Sequence, residues 1–66
     1  MGKVRRGGYV FLWWMGDHPP RHLHVFDKNN KMLTRVNLET LEPMDTPALP
    51  KGVLAIIREL QREGRL

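Results

Sequence analysis

The sequence predicts a small α+β domain: an antiparallel three-stranded sheet followed by one C-terminal helix packed on one face, in the order β-β-β-α. Three observations support this prediction. They are an aromatic-rich run at residues 9–15, two alternating segments around a turn within residues 22–38, and a helical apolar spacing after Pro50. The 66 residues allow one domain, 1–66, with a thin core, because a domain of this size buries only about 60% of its unfolded surface.

The first predicted strand is the run at residues 9–15, YVFLWWM. Its length and its β-branched and aromatic residues favour a strand over a helix. Successive residues of a strand point to opposite faces, so Trp13 and Trp14 are on opposite sides and both sides are apolar. Residues 1–8 are basic and end in two glycines, and we expect them to be a mobile lead-in to this strand, with a short edge pairing through Val4 as the alternative.

A stiff proline-containing connection follows, and residues 22–27 and 32–38 then alternate as two strands of a hairpin. Two asparagines between them indicate a two-residue turn, because Asn tolerates the positive φ that tight hairpins need. The predicted pairs are Asp27–Met32, Phe26–Leu33, Val25–Thr34, His24–Arg35, Leu23–Val36 and His22–Asn37.

This register separates an apolar face of the hairpin from a mixed one. The predicted core face carries Leu23, Val25, Met32, Thr34, Val36 and Leu38. The opposite face carries His22, His24, Arg35 and Asn37, with Phe26 and Leu33 nearer the turn. A slip by one residue would bury the histidines, and the count of apolar residues favours the register that keeps them outside.

The last third of the chain is predicted to be a loop and then a helix. Residues 39–49 are proline-containing and weakly periodic, with a short extended piece around residues 41–44. The helix covers residues 50–63, because Pro50 suits a first helical position and Gly64 is a C-terminal stop. Its apolar stripe is Val53, Ile56, Ile57 and Leu60.

One helix covers only one face of a sheet. The face with the histidines and half of the aromatic strand stays uncovered, and monomers seldom expose a large contiguous apolar patch. We therefore expect a homodimer or a small partner protein on that face. The alternative is that the loop at residues 39–49 folds over it.

Composition excludes several classes of function. Lys plus Arg number 11 and Asp plus Glu 7, for a formal charge of +4, and there is no cysteine for disulfides, thiolate metal sites or thiol nucleophiles. No apolar run approaches the roughly 20 residues of a membrane span, and the N-terminus lacks a signal-peptide pattern, so we expect a cytoplasmic protein without membrane contact. No phosphate-binding glycine loop or paired carboxylates are present, and no cofactor is indicated.

All the histidines lie within residues 18–24, HPPRHLH. His22 and His24 are two apart on a strand, so they project from the same face, and His18 is placed on the proline turn to fold back toward them. One interpretation is a metal site, with His18, His22 and His24 as weak candidate ligands for zinc or another borderline cation. Their spacing is not a standard zinc signature.

A second interpretation is RNA binding or cleavage. His22 and His24 are the candidates for general acid and base, and Arg21 or Arg35 for a phosphate contact. Trp13 and Trp14 would then be candidate stacking surfaces for single-stranded bases. Cleavage is disfavoured because no third positioned group can be named. A third interpretation is structural, with the histidines bonding backbone groups and capping a protein–protein interface.

A glycine, an aromatic-rich strand, Asp-His-Pro-Pro and His-x-His-Val follow one another between Gly8 and Val25. In this order they resemble the prokaryotic family called Domain of Unknown Function 4160, and LETLE at residues 38–42 with Leu-Pro before the helix extends the resemblance. The family has no established activity, but the arrangement of its genes is similar to that of a toxin–antitoxin pair. The resemblance therefore implies a small protein partner and, as a rival, an RNA-acting toxin-like protein whose motif falls at His18, His22 and His24.

Together these observations favour a module that is not demonstrably enzymatic and that binds a partner protein or itself through the face with the aromatics and histidines. The binding residues we expect are His18, Arg21, His22, His24, Arg35, Trp13 and Trp14.

Overall fold

The computed structural model describes residues 2–14 and 21–66. Its elements are β1 (Gly2–Arg6), β2 (Tyr9–Trp13), β3 (His22–Asp27), β4 (Met32–Asn37) and α1 (Val53–Arg62). The strands form one antiparallel sheet in the order β1-β2-β3-β4. This confirms an α+β fold with a C-terminal helix, but the sheet has four strands and not three. Within the described ranges, no helix is long and apolar enough to cross a bilayer.

The additional strand comes from the N-terminal residues. Residues 1–8, predicted to be a mobile lead-in, contain β1, which pairs with β2 along its whole length. Gly7 and Gly8 have φ values of 63° and 81°, and a two-residue hairpin turn of this kind needs positive φ at both positions. The prediction of three strands is wrong because this Gly-Gly pair closes a hairpin, where the sequence was interpreted as containing a break.

The β3–β4 hairpin confirms most of the predicted register. The pairs found as predicted are His22↔Asn37, Leu23↔Val36, His24↔Arg35 and Val25↔Thr34. Beyond Val25 the register shifts, and Phe26 lies opposite Met32 where Leu33 was expected. As a result Leu33 packs against the core, and Met32, predicted to be in the core, is 40% exposed.

The shift has a physical cause in the connection between the two strands, which covers residues 28–31 and exceeds the predicted two residues. The Asp27 carboxylate oxygen Oδ1 accepts the backbone N–H groups of Asn29 and Lys31 at 2.8 and 2.9 Å. This side-chain acceptor stabilises a wider turn, and Asn30 takes a positive φ of 65° within it. The wider turn and the irregularity beside it move Leu33 to the core side.

The core lies between one face of the sheet and α1. Its buried members are Val4, Phe11, Leu23, Val25, Val36, Val53, Ile57 and Leu60. Val53, Ile57 and Leu60 are the buried residues of α1, and Ile56 is partly buried against the same cluster, so the predicted stripe is confirmed. Each fully buried aliphatic or aromatic side chain stabilises the fold by about 1.5–3 kcal/mol relative to exposure.

The helix begins at Val53, three residues later than the predicted start at Pro50. Gly52 precedes it with a φ of 82°, a left-handed conformation that prevents the helix from extending further back. At the other end Gly64 has a φ of 75°, and its N–H and that of the next residue donate to carbonyls of the last turn at 3.0 Å. This arrangement is a Schellman cap, which confirms the predicted stop.

Arg6 ties β1 to α1. Its guanidinium donates to the carboxylate of Glu59 at 2.8 Å and to that of Glu63 at 2.7 and 3.1 Å. The hydrogen bonds with Glu63 raise the pKa of Arg6 and lower the pKa of Glu63. Arg6 therefore belongs to the helix-covered side of the sheet, and this exposed ion-pair cluster contributes little to the stability of the fold.

The outer edge of β4 is occupied by the loop that follows it. Pro43 forms an antiparallel bridge with Val36, the N–H of Asn37 donates to Glu42, and the N–H of Met44 donates to Arg35 at 2.7 Å. The predicted extended piece around residues 41–44 is therefore present from residue 42, whereas Leu41 has a positive φ of 62° and is not extended. The extended piece runs beside β4, so this part of the loop does not cover the sheet face as the alternative required.

Candidate binding face

The side of the sheet opposite α1 is called the open face here. The pairing registers place on it Lys3, Arg5, Val10, Leu12, His22, His24, Phe26, Met32, Arg35 and Asn37. Trp14 follows β2 and contacts His24, so its ring adds to the same surface. Antiparallel partners share a face, and alternation along each strand gives the remaining members.

The open face is cationic. Lys3 and Arg5 are both exposed and project from β1 opposite Leu12 and Val10. The strand positions on this face include no carboxylate, whereas the covered side uses Arg6 to meet two glutamates of α1. On the covered side the charge of Arg6 is therefore neutralised by carboxylates of α1. On the open face the strand neighbours of Lys3 and Arg5 supply no carboxylate.

Three rings form a continuous row on the open face. The centroids of Trp14 and His24 lie 4.8 Å apart at an interplanar angle of 87°, and those of His24 and His22 lie 5.0 Å apart at 61°. Trp14 is 40% exposed, and both histidines are half-buried. The row, called the ring row below, therefore presents aromatic edges and faces to the surface.

Arg35 lies on the open face but is held by a carboxylate at its border. Its Nε and Nη2 donate to the two Asp45 oxygens at 2.9 and 2.8 Å, and its backbone N–H donates to Oδ2 at 3.1 Å. The side-chain hydrogen bond from Arg35 is the main cause that lowers the pKa of Asp45 to about 2, and the same bond raises the pKa of Arg35. The Asp45 carboxylate offsets the charge of Arg35, which makes Arg35 a weaker phosphate contact than an unpaired arginine.

A shallow apolar depression lies beside the cations. It measures about 210 Å³ and is lined by Lys3, Val10, Leu12, Phe26 and Asn30. Val10, its most deeply placed member, is only 3% exposed, while Leu12 and Phe26 are half-buried. The depression therefore offers an apolar floor next to the Lys3 ammonium.

The structure brings some of the predicted site residues together and separates others. His22 and His24 are adjacent in the ring row, and Arg21 is exposed directly before β3. Trp13 lies on the covered side, where it packs against the core, so the two tryptophans do not share a surface. His18 lies outside the described residues.

The metal interpretation depends on that residue. Among residues 2–14 and 21–66, no three His, Asp or Glu side chains are grouped as a metal site would require. The predicted ligand set combines His22 and His24 with His18, so the described part of the chain contains only two of its members.

Lys3 and Arg5 are the residues of this face that sequence reasoning missed. The signal was present, because GKVRR and YVFLW are alternating segments separated by Gly-Gly, a pair that favours a two-residue hairpin. Interpreting the glycines as a turn would have placed the side chains of Lys3 and Arg5 opposite Leu12 and Val10.

No family model, no curated protein and no solved structure matches this chain.

Proposed function

We propose that this protein is a non-enzymatic binding module whose open face docks an acidic partner protein. The observation that supports this most is the position of Lys3 and Arg5 beside the apolar depression, on a face whose strand positions carry no carboxylate. Apolar contact area with charge at its rim is the usual composition of a protein interface. A cationic rim also speeds association with a partner of the opposite sign.

Trp14 and Phe26 are the proposed anchors of this interface. Trp14 is exposed enough to lose substantial surface on docking, and Phe26 lines the depression. Aromatic side chains of this kind contribute most of the binding free energy in many interfaces. In this interface His24 contacts the Trp14 ring and His22 contacts His24, so the two histidines have a structural role beside the anchor.

An acidic partner suits this face better than a second copy of the chain. Two open faces carry charge of the same sign, and like charges brought together in an interface oppose association. A small partner protein is also what the resemblance to Domain of Unknown Function 4160 implies. We retain that family assignment as a proposal on the residues between Gly8 and Val25.

The second candidate function is binding of single-stranded RNA. The ring row supports it, because bases stack on aromatic side chains independently of sequence. Arg21, exposed beside His22, would be a phosphate contact. Cleavage would use His22 and His24, whose ring centroids are 5.0 Å apart, as acid and base.

The test is a binding measurement with two probes. The first is a ten-residue peptide in which Glu alternates with Thr, and the second is a ten-nucleotide single-stranded oligouridylate. We expect the peptide to bind with a change in tryptophan fluorescence that is lost in Trp14→Phe, and the double variant Lys3→Gln/Arg5→Gln to weaken binding by about tenfold or more. Arg58→Gln/Arg62→Gln, which removes two exposed cations from α1, is the matched control and should leave the affinity unchanged.

The other outcomes are equally specific. Tighter binding of the oligonucleotide, lost on replacement of His22 and His24 by Ala while folding is retained, would overturn the protein-partner proposal in favour of RNA. A dimeric mass without any probe, converted to monomer by substitution of Trp14, would overturn it in favour of self-association. Binding that is insensitive to salt would also contradict it, because contacts between exposed charges are screened.

A further inference from the structure

The two edges of the sheet differ. The outer edge of β4 is occupied by the chain itself, through the bridge at Pro43 and two flanking backbone hydrogen bonds. β1 is the terminal strand on the other side, and among the described strands it pairs only with β2. An unoccupied edge presents a row of unpaired N–H and C=O groups that can accept another strand.

The hairpin geometry decides which groups face outward. In a two-residue hairpin the residues that flank the turn exchange both backbone hydrogen bonds, and bonded and non-bonded pairs then alternate. The flanking pair is Arg6↔Tyr9, so Val4 also bonds toward β2. Lys3 and Arg5 occupy the alternate positions, and their N–H and C=O groups point away from the sheet.

The same two residues carry the cationic side chains of the open face. At the hairpin end a second depression of about 290 Å³ is lined in part by Arg5, Gly8 and Lys28, which adds positive charge at this end of the sheet. An extended segment laid along β1 therefore meets outward backbone groups and cationic side chains at the same positions. Acidic residues at alternate positions of that segment would face Lys3 and Arg5 across the new strand pair.

We propose that β1 accepts an acidic extended segment of the partner protein as a fifth strand of the sheet. The inference rests on the proposed function, because the occupant is the same acidic partner. A second copy fits the edge poorly: antiparallel pairing centred on Val4 would set Lys3 of one copy opposite Arg5 of the other. Like charges at directly opposed positions destabilise a strand pair.

Hydrogen exchange of individual amides tests strand addition directly. With the alternating Glu-Thr peptide bound, we expect exchange at the Lys3 and Arg5 amides to slow by about tenfold or more, because both become hydrogen-bonded. The Val4 amide, already bonded to β2, should change little. A peptide N-methylated at alternate residues keeps the charge but loses strand hydrogen bonds, and we expect it to bind at least about tenfold more weakly.

The matched pair of variants is Arg5→Pro and Arg5→Gln. Both remove the charge, but only proline removes the outward N–H, and edge strands tolerate proline where that N–H faces away from the sheet. We expect Arg5→Pro to bind the peptide about tenfold more weakly than Arg5→Gln. If Arg5→Pro does not fold, the N-methylated peptide answers the same question.

Three results would overturn the inference. Equal binding by both variants and by both peptides would reject strand addition while leaving docking on the open face intact. Absence of any binding by the wild-type chain would reject both proposals. A dimer whose Lys3 and Arg5 amides are protected without peptide would assign the edge to a second copy.

Discussion

The two faces of the sheet are made from the same strands but have different environments. On the covered face Phe11 is fully buried beneath α1, and Arg6 finds two carboxylates on the helix. On the open face Phe26 is half-buried, Trp14 is 40% exposed, and Lys3 and Arg5 have no acidic neighbour among the strand positions. A ten-residue helix seals one side of a four-stranded sheet, so alternating apolar residues on the other side remain available for contacts.

The two edges of the sheet also differ, in whether their backbone N–H and C=O groups are hydrogen-bonded. The β4 edge is satisfied by residues 42–44 of the same chain, and no described strand satisfies the β1 edge. The open face and the outer edge of β1 meet at Lys3 and Arg5. These two residues carry both the cationic side chains and the outward backbone groups. That coincidence makes β1 the part of the molecule best suited to a partner.

The largest expected effect is on the free energy of unfolding, and it compares Phe11 on the covered face with Phe26 on the open face. Phe11→Ala removes a fully buried ring from the core, and we expect it to lower the free energy of unfolding by about 3–5 kcal/mol. Phe26→Ala, the matched control on the open face, should cost less than about 1.5 kcal/mol because the ring is only half-buried. Urea denaturation measures both, and similar losses would contradict the assignment of one covered face.

An intermediate effect concerns the packing of Trp13 on the covered side. A methyl group added at Gly2 would overlap the indole ring of Trp13, so Gly2→Ala must displace that ring, at a cost of about 1–3 kcal/mol. Lys3→Ala, on the adjacent open-face position, should change stability by no more than about 0.5 kcal/mol.

The readout for this pair is the denaturation midpoint together with the emission of Trp13 in a Trp14→Phe background. We expect Gly2→Ala to lower the midpoint and shift the emission to the red, as the ring becomes more solvated. An unchanged midpoint with unchanged emission would show that Trp13 does not lie over Gly2.

The smallest expected effect is the acid response of the Arg35–Asp45 pair at the border of the open face. Arg35 holds the folded-state pKa of Asp45 at about 2, below its ordinary value of 3.8. The pair therefore stabilises the fold above pH 3.8, and this contribution is lost as pH falls through about 2. The net effect should be small, because both side chains are exposed.

We expect Asp45→Asn to be less stable than the wild type at pH 6 and to flatten the dependence of the urea midpoint on pH between about 4 and 2. Glu42→Gln is the control, since it removes a nearby carboxylate that makes no ion pair with Arg35. If Asp45→Asn and the control give the same pH profile, the pair does not exist in solution.

Periodicity along the chain was sufficient to predict the apolar stripe of α1, and the glycine at position 64 was sufficient to predict its end. Periodicity also predicted that His22 and His24 project from one side of β3, since a one-residue slip would have buried them. These features depend on residues near one another in sequence, where helical and strand periods are visible directly.

Features that depend on contacts between separate segments were not predictable in the same way. β1 was missed because Gly-Gly is both a breaker and a hairpin turn, and only pairing with β2 decides between them. Leu33 and Met32 exchanged their expected sides because the Asp27 carboxylate stabilises a wider turn. A single carboxylate at the end of a strand carries no periodic signal that reveals this.

Local pattern therefore established the helix, the hairpin strands and the side of the sheet that carries the histidines, because each of these repeats along neighbouring residues. Only long-range packing decided that α1 covers Phe11 and Trp13, that residues 42–44 occupy one edge, and that Lys3 and Arg5 join the open face. These outcomes depend on contacts between segments that are distant in sequence. The residues that remain exposed after the core has formed therefore show no periodic pattern along the chain.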